Sequence, residues 1–425
     1  MTRVRILMLS QFYPPIIGGE ERHVKNLATA LAQRGHEVCV ATLSGTGSNA
    51  QDMDGGVRVY RLHGTLQKMT KLFSEGERRH VPPFPDPGLL LGLRRVILEF
   101  RPDIVHAHNW LLHSFLPLKQ WSGARFVVTL HDLSLVCAKK NMMHGGSTCS
   151  GPAFAKCMKC ASHHYGPIKG CVTAAANWVS QGAERKLADK FLTVSSAIAV
   201  GNKLAQSGVD YEIIPNFVPD DIAQLDDEPP AQVAALPQEP FLLFAGDLGI
   251  FKGTHVLIDA YRRLRNAPPL VMIGRRSAET PEDLPENVHI FESWPHAAVM
   301  HAWNRSLLGV VPSILPEACA TVVMECMGMG KTLVATRIGG TPDLVEDGIS
   351  ALLVPPGNAD ALSCAIQTLI DNPSQRERME SAAVQRVQHL KAKSVVPRIE
   401  NIYAQLLAGK SKENCSIDHG YAVPP

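Results

Sequence analysis

Two glutamates with seven residues between them are the strongest chemical signal in the sequence. Glu317 follows Pro316 in a predicted loop after a buried strand, and Glu325 lies inside the helix predicted next. Carboxylates accept hydrogen bonds from vicinal hydroxyl groups, so the pair is suited to holding a sugar and a ribose. Taken alone, the two positions fit a helix-start glutamate and an ordinary surface glutamate as well as they fit a site.

Two further segments combine glycine with a place where an anion can bind. Gly18 and Gly19 separate a predicted strand from a predicted helix, so backbone NH groups can approach a ligand at the helix N-terminus. Lys252 precedes Gly253 near the start of another predicted helix. The Gly18-Gly19 segment therefore predicts contact with a ligand at the helix N-terminus. The alternatives are an ordinary loop for the two glycines and a solvated lysine at a helix entry for Lys252.

His131 comes directly after the predicted buried strand Phe126–Leu130 and precedes Asp132. A histidine at the end of a strand can face a ligand, donate or accept a proton, or be a hydrogen-bonded core residue. The residue type alone leaves these alternatives open.

Half of the ten cysteines fall in one short window of the sequence, namely Cys137, Cys149, Cys157, Cys160 and Cys171. The same window contains His144, His163 and His164. In a reducing compartment such clustering indicates metal or redox chemistry before a structural disulfide, and Cys149, Cys157 and Cys160 are the zinc candidates. However, Cys157-x-x-Cys160 is half of a zinc knuckle without a matched second pair. A loop insertion with idle thiols is therefore the alternative.

Length and composition limit the class of protein. The chain has 425 residues, of which 45% are hydrophobic and 19% charged, so two domains with sizeable cores are expected and disorder is excluded. No apolar run approaches the ~20 residues that a membrane-spanning helix needs. The apolar run Ile6–Leu9 is too short for a signal-peptide core, so we expect a buried strand of a cytoplasmic protein.

The net charge of +2 conceals an asymmetry, because residues 1–210 carry +11 and residues 211–425 carry −9. The basic half is expected to face an anionic surface or substrate, and nucleic acid is disfavoured because aromatic residues make up only 6%. Between Leu66 and Arg79, Lys68 and Lys71 flank apolar residues at helical spacing, with Arg78 beside Arg79. This pattern predicts peripheral contact with an anionic membrane at its inner face, or else a solvated helix over the domain's own core.

Apolar runs and helical periodicity alternate along both halves of the chain. The first half begins with a βαβ unit made of Val4–Leu9, Glu20–Gln33 and Val38–Leu43, with Gly35 ending the helix. A second alternating series starts at Phe241. We therefore predict an α/β fold of two Rossmann-like domains, with ligands in a central cleft outside the carboxyl ends of the strands.

The predicted organisation has five segments. An N-terminal Rossmann-like domain covers 1–216 and contains a Cys-rich insertion at 137–171, a linker covers 217–240, and a C-terminal Rossmann-like domain covers 241–392. A C-terminal helix at 393–410 and a disordered tail at 411–425 complete the chain.

Several motifs occur in a fixed order, namely Gly18-Gly19-Glu20-Glu21-Arg22-His23-Val24 with Gly35-His36-Glu37-Val38, Thr129-Leu130-His131-Asp132, Ile214-Pro215-Asn216, Gly246 with Lys252-Gly253, and Pro316-Glu317 with Glu325, Gly330 and Gly339-Gly340-Thr341-Pro342. Together they closely resemble the family-four retaining glycosyltransferases of the GT-B fold (glycosyl transferases group 1), over roughly residues 4–400. The resemblance implies two Rossmann-like domains that clamp a nucleotide-diphosphate sugar, with 1–216 as the acceptor-side domain and 241–392 as the nucleotide-sugar-binding domain. It also implies a last helix that crosses back to the first domain.

The resemblance also implies roles for individual residues. Gly18 and Gly19 would approach the donor phosphates, His131 would lie near the transferred sugar, and Lys252 would be the cation on the diphosphate. Glu317 would hold sugar hydroxyls and Glu325 the ribose. The family usually has arginine directly after the glycine of the phosphate-binding strand, where this chain has Asp247, and Arg275 or Arg276 is the candidate replacement.

The function that the resemblance implies is transfer of a sugar, of the hexosyltransferase class, from a nucleotide-diphosphate-sugar donor to a hydroxyl acceptor with retention. The expected acceptor is a lipid-linked or polysaccharide intermediate, and catalysis is expected to require no metal or other cofactor. The rival hypotheses are a phosphorylase-like or epimerase-like enzyme of the same fold and a non-catalytic nucleotide-sugar-binding or zinc-binding module.

Overall fold

The structure is a computed structural model that describes residues 3–16, 18–45, 49–68, 79–145 and 147–417. The chain divides into two compact units. Unit 1 comprises Met1–Val194, Ile198–Ile214 and Val396–Pro425, and unit 2 comprises Ser195–Ala197 and Pro215–Val395.

Unit 1 is built on a mainly parallel sheet. Its strands are β1 (Arg5–Leu9), β2 (Glu37–Leu43), β3 (Ala50–Asp54), β4 (Val57–Leu62), β5 (Ile104–Ala107), β6 (Arg125–Leu130), the hairpin β7 (Met143–His144) and β8 (Ser147–Thr148), β9 (Lys190–Thr193) and β10 (Tyr211–Ile213). The described sheet has the order β10-β9-β6-β5-β1-β2-β4-β3, with β7 and β8 paired separately. All its neighbours are parallel except β3, which runs antiparallel to β4.

Helices follow most of these strands, as expected for parallel connections. They are α1 (Gly19–Gln33), α2 (Pro87–Phe100), α3 (Leu112–Phe115), α4 (Lys119–Ser122), α5 (Phe154–Tyr165), α6 (Pro167–Leu187), α7 (Ser196–Gly201) and α8 (Leu204–Ser207). Local sequence explains their ends: Asp86 caps α2 by accepting a hydrogen bond from the Leu89 NH, and Gly35 takes the positive φ of 93° that follows α1.

Unit 2 contains a second parallel sheet. Its strands are β11 (Leu242–Ala245), β12 (Leu270–Ile273), β13 (Val288–Phe291), β14 (Leu308–Val311), β15 (Leu333–Thr336) and β16 (Leu352–Val354), in the order β13-β12-β11-β14-β15-β16. Its helices are α9 (Thr254–Tyr261), α10 (His296–Arg305), α11 (Thr321–Gly328), α12 (Thr341–Leu344), α13 (Ala359–Asp371) and α14 (Pro373–Gln388). The central strands are apolar throughout, because helices cover both faces of a parallel sheet.

The last helix, α15 (Ala392–Ile417), begins in unit 2 and belongs to unit 1 from Val396 onward. It therefore crosses back as the resemblance implies. The predicted helix ended at residue 410, whereas α15 continues to Ile417 and the remainder of the predicted tail, 418–425, lies outside the described residues.

Most predicted elements agree with the structure to within one or two residues, and the α/β fold with two Rossmann-like units is confirmed. The predicted linker 217–240 differs from the structure, because it belongs to unit 2 and buries Val218, Ile222, Val233 and Leu236 in that unit's core. Its proline and acidic residues concealed these apolar positions, which lack strand or helix periodicity.

The segment predicted to contact a membrane is only partly described. Leu66–Lys68 forms a single 3-10 turn with Gln67 buried, and residues 69–78 lie outside the described residues. Within the described residues, every helix is too short or too polar to cross a membrane.

Candidate functional site

In unit 2, the predicted site residues follow the carboxyl ends of neighbouring strands. Lys252 ends a 3-10 turn after β11, and Glu317 lies in the loop after β14, the neighbour of β11 in the sheet. The Lys252 Nζ lies 2.8 Å from Glu317 Oε2, and the Ser313 hydroxyl donates to Glu317 Oε1. The structure thus joins a predicted phosphate ligand and a predicted sugar ligand in one ion pair.

Two glycines hold the Glu317 loop in place. A Cβ on Gly339, which has a φ of +57°, would lie 2.2 Å from the Glu317 carbonyl oxygen. The Gly340 NH donates to that carbonyl at 2.7 Å, and a Cβ on Gly340 would lie 2.1 Å from the Ala318 oxygen. The Gly339-Gly340 motif is therefore required by close backbone approach to the loop that carries Glu317.

Gly253 has the same role for Lys252. It has a φ of +75°, and a Cβ at this position would lie 1.9 Å from the Pro312 carbonyl oxygen. The turn that ends at Lys252 thus packs directly against the residue that follows β14. Glycine is required at position 253 because it tolerates both the left-handed backbone and this close contact.

Glu325 lies on α11 with only 4% of its surface exposed. Its Oε1 is 2.9 Å from His296 Nε2, and His296 is the first residue of α10. A buried carboxylate needs such a partner, because isolating its charge from water is costly. The predicted ribose ligand is thus oriented by a histidine that the sequence analysis did not identify.

The arginines considered as phosphate ligands both have acidic partners. Arg275 Nη2 lies 3.2 Å from Asp247 Oδ2, and Arg276 Nε lies 3.0 Å from Glu292 Oε1. The Arg275 side chain is 79% exposed, so water screens this pair and the guanidinium stays accessible to an anion. Arg275 thus lies beside Asp247, which stands where the family usually has arginine, and its role as the replacement cation stays a prediction.

In unit 1, His131 follows β6 and lies near two other histidines. His108 follows β5, the neighbour of β6, and its Nδ1 is 3.0 Å from His131 Nε2. The ring of His23, on α1, lies 5.1 Å from the His131 ring. Burial lowers the pKa of His131 to about 3 and lowers the pKa values of His23 and His108, so these rings are neutral at pH 7.

The start of α1 contributes to the same cluster. Gly18 precedes the helix and Gly19 is its first residue, so the helix N-terminus lies where the sequence predicts. Glu20 accepts a hydrogen bond from Asn109, the residue after His108. Burial raises the pKa of the Glu20 carboxyl to about 8, although this hydrogen bond opposes the rise.

Within the described residues, His23, His108 and His131 are the group whose ligand atoms converge, with one ring nitrogen of each within 4.8 Å of the others. Three neutral imidazoles at this separation could hold a transition-metal ion. His108 Nε2 is buried, and no atom of the described residues forms a hydrogen bond with it.

The zinc candidates Cys149, Cys157 and Cys160 line one cavity of about 30 Å³ with Cys137 and His144. Their sulfur atoms, all among the described residues, do not converge as the three histidine nitrogens do. The Cys149 thiol instead lies 3.5 Å from the Gly151 carbonyl oxygen. The structure therefore brings these thiols to one cavity without assembling a ligand set, and a structural zinc here stays a prediction.

Sequence reasoning missed His23, His108, Ser313 and His296 as members of these clusters. A usable signal existed for His108, because it directly follows a buried strand just as His131 does. The sequence alone carries no comparable signal for the pairing of His296 with Glu325, which are 29 residues apart.

Two family models match consecutive parts of the chain. The model described as Glycosyltransferase Family 4 matches residues 17–222, and the model described as Glycosyl transferases group 1 matches residues 226–386. Together they cover most of both units.

Curated relatives match over most of their own length. A glycogen synthase from Mycobacterium tuberculosis is 26% identical over 408 residues, which cover 90% of each chain. A D-inositol 3-phosphate glycosyltransferase from Catenulispora acidiphila is 27% identical and covers 78% of this chain and 81% of its own.

Solved structures share the fold at lower identity. A sucrose-phosphate synthase from Thermosynechococcus elongatus is 19% identical with a TM-score of 0.74, covering 96% of this chain and all of its own. HepE from Anabaena, solved with UDP, is 18% identical with a TM-score of 0.65 and covers 94% of this chain and all of its own. A further structure of HepE contains UDP-glucose.

Proposed function

Because the chain belongs to the group 1 glycosyltransferases of the GT-B fold, we propose that it transfers a sugar with retention from a nucleotide-diphosphate-sugar donor to a hydroxyl acceptor. The observation that carries this proposal is the cluster of Lys252, Ser313 and Glu317 after β11 and β14. Such a cluster offers a cation for a diphosphate beside a carboxylate for hydroxyl groups, at the edge where parallel sheets bind ligands.

The donor is proposed to bind unit 2. Lys252 stabilises the negative charge that develops on the departing diphosphate, with Arg275 as a second accessible cation. Glu317 accepts hydrogen bonds from sugar hydroxyls, and Glu325, held by His296, accepts those of the ribose. HepE, which shares the fold, was solved with UDP-glucose, and this supports a nucleotide sugar as the donor class.

Catalysis is proposed to need no bound metal, because protein cations and helix N-termini stabilise the leaving group. Retention would follow from a front-face, oxocarbenium-like step in which the acceptor hydroxyl attacks on the side that the diphosphate leaves. His131, neutral at pH 7, is proposed to contact the transferred sugar as a hydrogen-bonding group.

The acceptor is proposed to be a growing polysaccharide or a lipid-linked saccharide, and the second of these requires contact with a membrane surface. Two relatives are named glycogen synthase and D-inositol 3-phosphate glycosyltransferase, and these names support testing chemically different hydroxyl compounds as acceptors. We therefore propose an acceptor panel of glucan, inositol phosphate and lipid-linked saccharide.

The test begins with thermal shift measurements on UDP-, GDP- and ADP-sugars. The stabilising donor is then incubated with each member of the acceptor panel, and the anomeric configuration of the product is read by NMR. Acceptor-dependent product with the donor's configuration supports the proposal, whereas inverted product refutes retention.

The same experiment distinguishes the rivals. Equal donor turnover with phosphate or water and no dependence on acceptor would favour a phosphorylase-like or epimerase-like enzyme. Donor binding without turnover across the acceptor panel would favour a non-catalytic nucleotide-sugar-binding module.

A further inference from the structure

Helices α5 and α6 expose several large apolar side chains. On α6, Ile168 is 82% exposed, Val172 50% and Val179 77%. Their spacing places all three on one side of the helix, at 100° per residue, over a length of about 16 Å. The opposite side of α6 buries Gly170, Ala174 and Asn177, so the exposed stripe is separate from the face that packs on unit 1.

An aromatic pair extends this stripe. Phe154, at the start of α5, is 50% exposed, and its ring makes an edge contact with the ring of Trp178 on α6 at 5.5 Å. Trp178 itself is 37% exposed. Exposed aromatic and aliphatic side chains on one helix face are typical of surfaces that insert into the boundary between lipid headgroups and acyl chains.

The segment that carries most of this surface has charged residues of one sign. Residues 133–183 contain five lysines and no aspartate or glutamate. Lys159 on α5 and Lys169 and Lys186 on α6 are exposed and lie on the same two helices as the apolar residues. The first acid after this segment, Glu184, is buried against His113 at 2.8 Å and so does not face solvent.

We propose that the surface made of Phe154, Ile168, Val172, Trp178 and Val179 with Lys159, Lys169 and Lys186, the α5–α6 surface, docks on an anionic lipid membrane. The apolar stripe enters the headgroup region while the lysines contact lipid phosphates, each contributing roughly a fivefold increase in affinity. The unbroken positive charge argues for anionic lipid over an uncharged or basic partner protein. The inference extends the proposed lipid-linked acceptor, but vesicle binding requires neither donor nor transfer.

Co-sedimentation of the full chain with vesicles tests the proposal without any donor or acceptor. Vesicles of phosphatidylcholine alone are compared with vesicles that contain phosphatidylglycerol, at low and high salt. We expect binding to the anionic vesicles only, with affinity that falls as salt increases. Replacing Lys159, Lys169 and Lys186 by Gln should weaken binding on the order of 100-fold.

The apolar contribution is tested with Ile168→Ser, Val172→Ser and Val179→Ser combined. Because these side chains are exposed, the variant should fold with unchanged circular dichroism and lose vesicle binding. A matched control combines Ile349→Ser and Val384→Ser, which are 56% and 42% exposed in unit 2, and should bind as the unaltered protein does.

Three results would overturn the assignment. One is equal binding to neutral and anionic vesicles, or none to either. Another is loss of binding on replacing Lys68, Lys71, Arg78 and Arg79 by Gln while the α5–α6 variants bind normally. The third is absence of vesicle binding with a dimer in sedimentation velocity that the Ser variant abolishes, since the surface would then contact a second copy. Each of these leaves the glycosyltransferase activity separately measurable.

Discussion

The ion pair between Lys252 and Glu317 changes what each residue can be expected to do. Separate roles on a phosphate and a sugar would make the two substitutions independent, but a 2.8 Å contact couples them. Removing Lys252 leaves Glu317 with Ser313 as its remaining described partner, and removing Glu317 frees the lysine to reorient. The pair thus prepositions both groups before a ligand binds.

We expect Glu317→Ala to lower kcat/KM by about 2–4 kcal/mol of transition-state stabilisation, with the fold intact. Lys252→Ala should weaken nucleoside-diphosphate binding, measured by calorimetry. When all three variants are also compared by kcat/KM, the double variant should lose less transition-state stabilisation than the sum of the two single losses, because the two residues are in contact. Glu282→Ala, an exposed change elsewhere in unit 2, is the control. Unaltered rates in folded Glu317→Ala would remove Glu317 from the site.

At the scale of elements, the loop after β14 is held by the turn that precedes α12. Gly339 lies so close to Glu317 that a methyl group would contact the Glu317 backbone on two sides, at 2.2 Å and 2.6 Å. An added side chain at position 339 must therefore displace Glu317.

Gly339→Ala should accordingly reduce donor affinity and turnover as well as stability. Gly357→Ala is a matched control, since Gly357 also has a positive φ, +72°, but no atom within 4 Å of an added Cβ. Both changes should cost about 1–2 kcal/mol of unfolding free energy from backbone strain. Gly339→Ala should cost more than Gly357→Ala, because its methyl group also clashes with the Glu317 backbone. Only Gly339→Ala should lower turnover, measured in steady-state assays. Equal activity of the two variants would contradict the role of close approach.

The crossing helix α15 is held on unit 1 by a buried acid. Glu400 accepts a hydrogen bond from Arg34 Nε at 2.8 Å, and its carboxylate lies 3.0 Å from His36 Nε2. One turn further along α15, the Tyr403 hydroxyl oxygen lies within hydrogen-bond distance of His106 Nδ1, at 2.6 Å. Burial of Glu400 raises the pKa, but the contacts with Arg34 and His36 outweigh it and leave the pKa below its ordinary value of 4.5.

A lowered pKa means that the folded protein binds fewer protons at Glu400 than the unfolded chain does. The stabilisation is therefore present above pH 4.5 and is lost as pH falls through the folded-state pKa. Glu400→Gln should lower the free energy of unfolding at pH 7 and flatten its decline below pH 4.5, measured by urea denaturation. The exposed change Glu377→Gln should leave both unchanged. An identical pH profile for Glu400→Gln would contradict this account.

At the scale of the whole molecule, the two halves of the chain carry net charges of opposite sign. The first 210 residues carry +11 and the rest −9, although the donor that we propose for unit 2 is itself an anion. Local cations must then overcome the acidic average of that half, and Lys252 and Arg275 are the ones the proposal uses. The excess of positive charge in the first half includes the acid-free segment 133–183.

Because these protein cations are proposed to replace a metal, treatment with a chelator should change turnover by no more than about twofold. The measurement is steady-state transfer before and after chelation, with magnesium, manganese or zinc added back. Activity that disappears and returns with magnesium or manganese would refute the metal-independent mechanism. Loss reversed only by zinc would direct attention to the three histidines or the thiols.

Much of the architecture is determined by the sequence itself. Runs such as Val38–Leu43 and Phe126–Leu130 are strands in the structure to within one residue of the predicted bounds, because short, mainly apolar runs between polar turns suit a sheet covered on both faces. The order of the glycine and glutamate motifs likewise predicted the family, since each motif is local and can be seen without knowing its partners. The residue types available for phosphate and hydroxyl contacts were evident for the same reason.

Tertiary structure alone decided which of these residues meet. Lys252 and Glu317 are 65 residues apart and His108 and His131 are 23 apart, and they pair because adjacent strands bring their carboxyl ends together. Conversely, Cys149 and the Cys157–Cys160 pair are close in sequence but their sulfur atoms do not converge, although Cys149 directly follows β8 and the pair lies on the next helix, α5. Contacts of this kind depend on strand order, register and side-chain direction, which residue patterns within one segment do not specify.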